Sequence, residues 1–358
     1  MTKVLKRVST RAIRLAANDA FEMEKISYGY IIVSLTIIIV PVNMCLIFLF
    51  VRGNFRTSAH GILIAMAVLQ CLNAMSRCIP SIYFYTLGHA EEYTPYSLCV
   101  PHIVLQRLIP GIAVSWYLYL TVLLGIQRCV VVTFPYRANR IFSRNKTVIY
   151  ILVLGILAAS IFVPGLIDMS FQSVTVDSFI EPNTTIRSCR RGKPVVNIKI
   201  TSTLITVFAK LLPLTLLVAL NTCLVYKLRK IRNWRTKQGG GQGEQVKKVN
   251  SSSDRMSLVT SCIIFAVLVV DVPALIVHLY FSYSENLSCK ACSLNILLAI
   301  ISPVDMVVFF SSLIMYCCLS SRFRRYVLLM FYLRKKKYLS GRRGLGSMTT
   351  RCDTQTRP

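Results

Sequence analysis

The chain has 358 residues, of which 54% are hydrophobic and only 16% charged, with a mean hydropathy of +0.57. Soluble domains carry roughly 25% charged residues to coat their surface, so this composition excludes an ordinary globular protein and points to a chain whose solvent is largely lipid. A net charge of +28 would suggest nucleic acid in a soluble protein, but the basic residues sit in blocks between apolar runs, which fits attraction to anionic lipid and argues against a nucleic-acid partner.

Residues 1–17 are basic and lack an uninterrupted apolar core before a cleavage site, so the first apolar run is expected to act as its own insertion signal. A hydrocarbon core of about 30 Å needs roughly 20 apolar residues per helix, and seven runs meet that length. The first, 28–51, is uncharged; the second, 60–86, holds only Arg77; the third, 101–127, includes Arg107. The fourth, 148–167, is uncharged, and the fifth, 198–226, includes Lys199 and Lys210. The sixth, 256–281, carries Asp271 and His278, and the seventh, 294–319, carries Asp305. The expected fold is all-α: a seven-transmembrane helix bundle over 28–319, with an N-terminal segment 1–27 and a basic tail 320–358.

The connecting segments set the orientation. Those after the first, third, fifth and seventh runs hold 27 Lys and Arg, against 11 on the other side. Basic residues stay cytoplasmic, so the N-terminus is expected outside and the tail inside. The sequons at Asn183 and Asn286 fall on the expected outer side and are candidate glycosylation sites, whereas those at Asn145 and Asn250 fall inside. Of the thirteen cysteines, most lie within apolar runs as small hydrophobes. Cys99, Cys189, Cys289 and Cys292 lie in expected extracellular loops, where oxidation is permitted. Cys289 and Cys292 read as a local loop disulfide, since four scattered histidines argue against zinc. The glycine-rich stretch 238–243 reads as a flexible linker. Residues 322–331 mix a basic and an apolar face, as an interfacial eighth helix would. No metal-ligand cluster, phosphate loop or nucleophile–base set is visible, so no cofactor and no enzymatic role are expected.

An Asp at a helix centre costs about 2.5–3.5 kcal/mol on insertion scales and is a functional hypothesis by default. Asp271 and Asp305, with Lys210, Arg107 and His278, are therefore the candidate ligand-pocket residues. Two readings stand: a structural intramembrane ion pair with Lys210 or Arg107, or a carboxylate that receives a cationic ligand group such as a peptide Arg. Glu91, Glu92, Asp177, Glu181 and Glu285 form an acidic rim on the expected outer side, diluted by Arg187, Arg190, Arg191 and Lys193. Pro213 and Pro273 lack the amide that closes a helical hydrogen bond, and serve either as pivots for helix motion or as packing kinks.

Local patterns converge on one family. The first run has Pro41-Val42-Asn43; the third ends Gly125-Ile126-Gln127-Arg128-Cys129, followed by Phe134-Pro135-Tyr136-Arg137; the fifth reads Leu211-Leu212-Pro213 through Asn221-Thr222; the sixth has Pro273; the seventh ends Ile314-Met315-Tyr316-Cys317 before Ser321-Arg322-Phe323. In order and spacing these resemble rhodopsin-like G-protein-coupled receptors, and within them the FMRFamide-type and myosuppressin-type neuropeptide receptors of invertebrates. The resemblance implies an extracellular peptide ligand, a heterotrimeric G-protein partner and a plasma-membrane location. It also implies G-protein coupling through Arg128, Pro135 and Tyr316, and a disulfide between Cys99 and Cys189. Gln127 and Cys129 depart from the acid and the Tyr that usually flank the Arg, Gln70 from an Asp, Ser312 and Leu313 from an Asn and a Pro, and Asp271 from a Trp. Loss of the acid beside Arg128 weakens a restraint on the inactive state and implies raised basal activity. The rival readings are a chemosensory receptor for a small molecule and, from another class, a transporter or channel, which the absence of an inverted repeat disfavours. A retinal photoreceptor is disfavoured because the seventh run contains no Lys.

Overall fold

The computed structural model describes residues 22–52, 58–89, 95–167, 171–177, 185–191 and 198–237, together with 258, 260–273, 275, 276, 279, 299–308 and 310. Helix α1 spans Glu22–Arg52, α2 Ser58–Thr86 and α3 Tyr96–Thr133. A short α4 (Pro135–Ile141) leads into α5 (Arg144–Ile161), and one further turn forms α6 (Val163–Ile167). Strands β1 (Phe171–Asp177) and β2 (Thr185–Arg191) follow, then α7 (Ile200–Ile231), α8 (Thr260–Pro273) and α9 (Ala299–Val308). Helices α1, α2, α3, α5 and α7 are each long and apolar enough to cross a membrane; α8 and α9 are shorter apolar helices within the sixth and seventh runs.

Which face of each helix turns inward follows from the 3.6-residue period. On α1 from Val33 onward the buried positions are Thr36, Ile39, Asn43, Leu46 and Phe50, whereas Ile37, Ile38, Met44, Phe48 and Val51 are exposed. On α2 an outward stripe, Val68, Leu72, Met75, Ile79 and Ile82, recurs every three to four residues, and on α5 Ile149, Leu152, Val153 and Ile156 do the same. Exposed aliphatic stripes of this kind suit lipid, whose tails are as apolar as the side chains themselves. The polar residues lie inside: Asn43, Gln70, Asn73, Ser81, Thr121 and Gln127 are all buried. Several return hydrogen bonds to their own helix, Thr36 to Ile32 O at 2.7 Å, Thr121 to Tyr117 O at 2.9 Å and Asn43 to Ile39 O at 3.0 Å, which supplies part of the demand for partners where water is absent.

Helix α3 is the axis of the assembly and packs against α2, α5 and α7. One apolar core joins Leu46, Phe50, Ile62, Leu63, Met66, Tyr117, Leu120 and Leu124 from α1, α2 and α3. A second joins Leu118 and Val122 of α3 to Leu214 and Leu217 of α7 and to Ile264 and Val267 of α8. A third sets Ile32 and Ile39 against Ala74 and Met306, which seats α9 between α1 and α2. Small residues allow the closest crossing: a Cβ on Gly155 would lie 2.5 Å from Cζ2 of Trp116, whose Nε1 donates to Ile151 O at 3.1 Å.

Three helices widen into π turns beside a proline near one end of the bundle. Leu87 N–H bonds to Ile82 O, Ile109 N–H to Val104 O and Leu212 N–H to Val207 O, each five residues back. Each lies close to a proline, Pro80, Pro110 or Pro213, whose missing N–H frees a carbonyl and whose ring crowds the preceding turn. Such turns are frequent at functional sites.

The all-α expectation needs one addition. β1 and β2 pair antiparallel as a two-stranded hairpin, with Ser173 opposite Cys189, and the first turns of α3 pack on β2. The helix limits also shift. α3 begins at Tyr96 and runs to Thr133, beyond the expected 101–127, and α5 covers Arg144–Ile161 because the chain breaks at Phe162 before α6. Six expected site residues, His278, Tyr316, Cys289, Cys292, Asn183 and Asn286, lie outside the described residues, as do the glycine-rich stretch and the expected eighth helix.

Candidate functional site

The wide turns do not merely bend the helices; they carry the side chains that line a cavity. At the end of the bundle that bears the hairpin, a cavity of about 450 Å³ is bounded by α1, α2, α3, α7 and α9. Tyr85 and Arg107 reach it from two of the π turns, and Thr206, Ala209 and Lys210 from the third. Tyr28, in a further π-helical stretch at Lys25–Ile32, stacks on Tyr85 with ring centroids 5.6 Å apart and planes at 25°. The Tyr85 hydroxyl donates to Glu24 Oε2 at 3.2 Å, and Thr86 Oγ1 donates to Gly29 O at 3.0 Å. A Cβ on Gly29 would lie 3.0 Å from the Cβ of Tyr85, so glycine permits this approach of α1 to α2.

Charged groups surround the cavity. Arg77, Arg107 and Lys210 line it, as do Glu24 and Asp305. Arg77 is half-buried on α2, its Nε donating to Asn73 Oδ1 at 3.0 Å, and it acts on Asp305 across the cavity. Lys210 acts on both Asp305 and Asp271. Asp305 is only 7% exposed and Asp271 only 1%, and Oδ1 of each is buried with no hydrogen-bond partner among the described residues. Arg107 is exposed and acts on Glu24. His102 edges onto Phe84 at 4.4 Å between centroids and also lines the cavity.

Of the expected pocket residues, Arg107, Lys210 and Asp305 therefore share one cavity; Asp271 does not line it but is electrostatically linked to Asp305 and Lys210. Arg77, Glu24, Tyr28 and Tyr85 were not among the expected residues. The sequence did carry a signal for Arg77, since it is the one ionic residue of the second run. Tyr28 and Tyr85 gave no such signal, because aromatic residues at the ends of apolar runs ordinarily mark the membrane interface.

At the opposite end of α3, Arg128 is half-buried, and Pro135 opens α4. The neighbouring Gln127 is buried, and its Nε2 donates to Ser58 Oγ at the start of α2. Ser261 Oγ of α8 donates to Asn221 Oδ1 of α7 at 2.5 Å, joining the two helices that flank this end of α3. Pro213 is buried just after its wide turn, and Pro273 ends α8, exposed. Cys99 is buried in the first turns of α3, which pack on the strand that carries Cys189.

No family profile matches the chain. A stretch of 119 residues is 24% identical to the Sex peptide receptor of Drosophila melanogaster; it covers 33% of this chain. The chain spans about a quarter, 27%, of the length of that curated relative. Apolar helices of membrane-spanning length and a partial likeness to a receptor are thus the shared findings.

Proposed function

We propose that this chain is a rhodopsin-like G-protein-coupled receptor of the plasma membrane, with seven spans, the N-terminus outside and an amphipathic eighth helix inside. An extracellular peptide binds in the cavity among α1, α2, α3, α7 and α9, and the opposite end of the bundle engages a heterotrimeric G protein. The observation that carries this reading is the cavity itself: it is lined from five helices by charged and aromatic side chains, at the opposite end of α3 from Arg128. The partial likeness to the sex peptide receptor supports the receptor class, and supports a peptide as the ligand.

The mechanism is a population shift. A ligand that contacts α2, α3, α7 and α9 together favours whichever arrangement of these helices it binds more tightly. Pro213 and Pro273 act as pivots for that rearrangement, and Arg128, Pro135 and Tyr316 form the coupling surface it exposes. The Gln127–Ser58 hydrogen bond ties α3 to α2 at that end, a restraint made through a neutral amide instead of an acid beside Arg128. A disulfide between Cys99 and Cys189 fixes the hairpin over the cavity, with a local Cys289–Cys292 bond and glycans on Asn183 and Asn286 on the same side.

The test is a G-protein activation screen in cells expressing the full chain, against a panel of amidated invertebrate neuropeptides, with Arg128→Ala as control. A peptide response lost in that variant supports the reading. Silence across the panel despite surface expression favours the second reading, a chemosensory receptor for a small molecule. One observation speaks for it: about 450 Å³ falls within the roughly 300–1,000 Å³ typical of small-molecule sites.

A further inference from the structure

Three helices bring opposite charges to the cavity without joining them at every atom. Arg77 comes from α2 and Lys210 from α7; Asp305 comes from α9, with Asp271 of α8 acting on it. Asp305 Oδ1 is buried with no hydrogen-bond partner among the described residues, so neither cation reaches that oxygen. Arg77 directs its Nε to Asn73 instead. A buried ion pair offsets its desolvation only when its geometry is closed and its remaining lone pairs are hydrogen-bonded. A pair left open beside a shared cavity leaves this carboxylate oxygen in need of a partner.

The sign of the missing partner follows from who surrounds it. A lone cation beside Asp305 would also stand beside Arg77 and Lys210. A lone anion beside those two would also stand beside Asp305 and, through it, Asp271. A group that carries one charge of each sign, a few ångströms apart, meets both sides at once and adds no net charge to a site out of water. Glu24 and Arg107, nearer the solvent, act on each other and leave this balance unchanged.

We propose that the inner part of the cavity is a binding site for a zwitterionic group, its cation against Asp305 and its anion against Arg77 and Lys210. The proposal rests on the receptor reading for the role of the molecule that delivers this group. It replaces the simpler picture in which Asp271 or Asp305 receives a cation alone.

The experiment uses the full chain in lipid nanodiscs and follows its thermal unfolding with ω-amino acids of four to six carbons as probes. Alkyl carboxylates and alkyl ammonium ions of the same lengths are the single-charge controls. The expected result is a rise in Tm of about 2 °C or more at millimolar concentration for at least one zwitterion, at least twice that of either control. The rise should disappear in Asp305→Asn and in Arg77→Gln. An equal rise with the ammonium ion would overturn the proposal in favour of a plain cation site, and an equal rise with the carboxylate in favour of an anion site. No shift with any probe on the wild-type chain would overturn it outright, whether or not the variants fold. The readout involves no G protein, so a failure here leaves the receptor reading standing. A positive shift alongside a silent peptide screen would count against that reading alone.

Discussion

Gly155→Ala places a methyl group where the structure has an indole. The added Cβ would lie 2.5, 2.7 and 2.9 Å from Cζ2, Cε2 and Cη2 of Trp116, about 1 Å inside ordinary carbon–carbon contact at roughly 3.5–4.0 Å. The ring cannot simply swing away, because its Nε1 is held by Ile151 O at 3.1 Å. Relief must come from separating α3 and α5 or from breaking that hydrogen bond. Overpacking of this kind costs about 1–3 kcal/mol, which corresponds to a loss in Tm on the order of 1–4 °C for a chain of this length. The assay is thermal unfolding of the purified protein, followed by a fluorescent thiol or tryptophan signal. Trp116→Phe removes the three offending atoms and should recover most of the loss when combined with Gly155→Ala. An unchanged Tm in the single variant, or no recovery in the double, would refute the close α3–α5 crossing.

Other outcomes follow from single contacts. Tyr119→Phe removes the hydroxyl that donates to Phe208 O at 2.6 Å between α3 and α7, and should cost about 1 kcal/mol, read as a lower Tm. Ser58→Ala strands the buried amide of Gln127, costing about 1–3 kcal/mol; because it also frees α3 from α2 at the coupling end, basal G-protein signalling should rise above that of the wild type. Gly111→Ala puts a Cβ 2.7 Å from Cε1 of Phe162 at the cavity wall, so it should weaken ligand potency several-fold with little change in surface expression. Tyr85→Phe removes the hydroxyl on Glu24 but keeps the stack on Tyr28; potency should fall by less than with Tyr85→Ala, measured by dose–response.

Much of the helical scaffold was legible because the transfer of apolar side chains into lipid dominates it. Hydropathy places α1, α2, α3, α5 and α7 within a few residues of where they lie, and α8 and α9 fall inside the sixth and seventh expected runs. The ends were less legible. Pro101 looked like a start, yet the helix begins earlier at Tyr96 and carries Pro101 inside it. The hairpin was missed because loop composition was read for charge and sequons; the β-branched alternation of Val174, Thr175 and Val176 was the available signal. In the cavity, Lys210 and Asp305 were legible, as was Asp271 behind it, because an ionised group inside an apolar run is expensive and must answer to something. Glu24, Tyr28 and Tyr85 were not, because their approach depends on π turns that no hydropathy profile records and on a glycine at position 29 that lets α1 come close to α2.

The central claim is that a ligand bound at one end of α3 is felt by a G protein at the other. It is tested most directly by reconstituting the full chain with a purified heterotrimeric G protein in nanodiscs and measuring nucleotide exchange with and without an activating peptide. The account expects peptide to accelerate exchange on the wild-type chain, and Arg128→Ala to keep peptide binding while losing the acceleration. Peptide that binds but leaves exchange at its basal rate on the wild-type chain would contradict it.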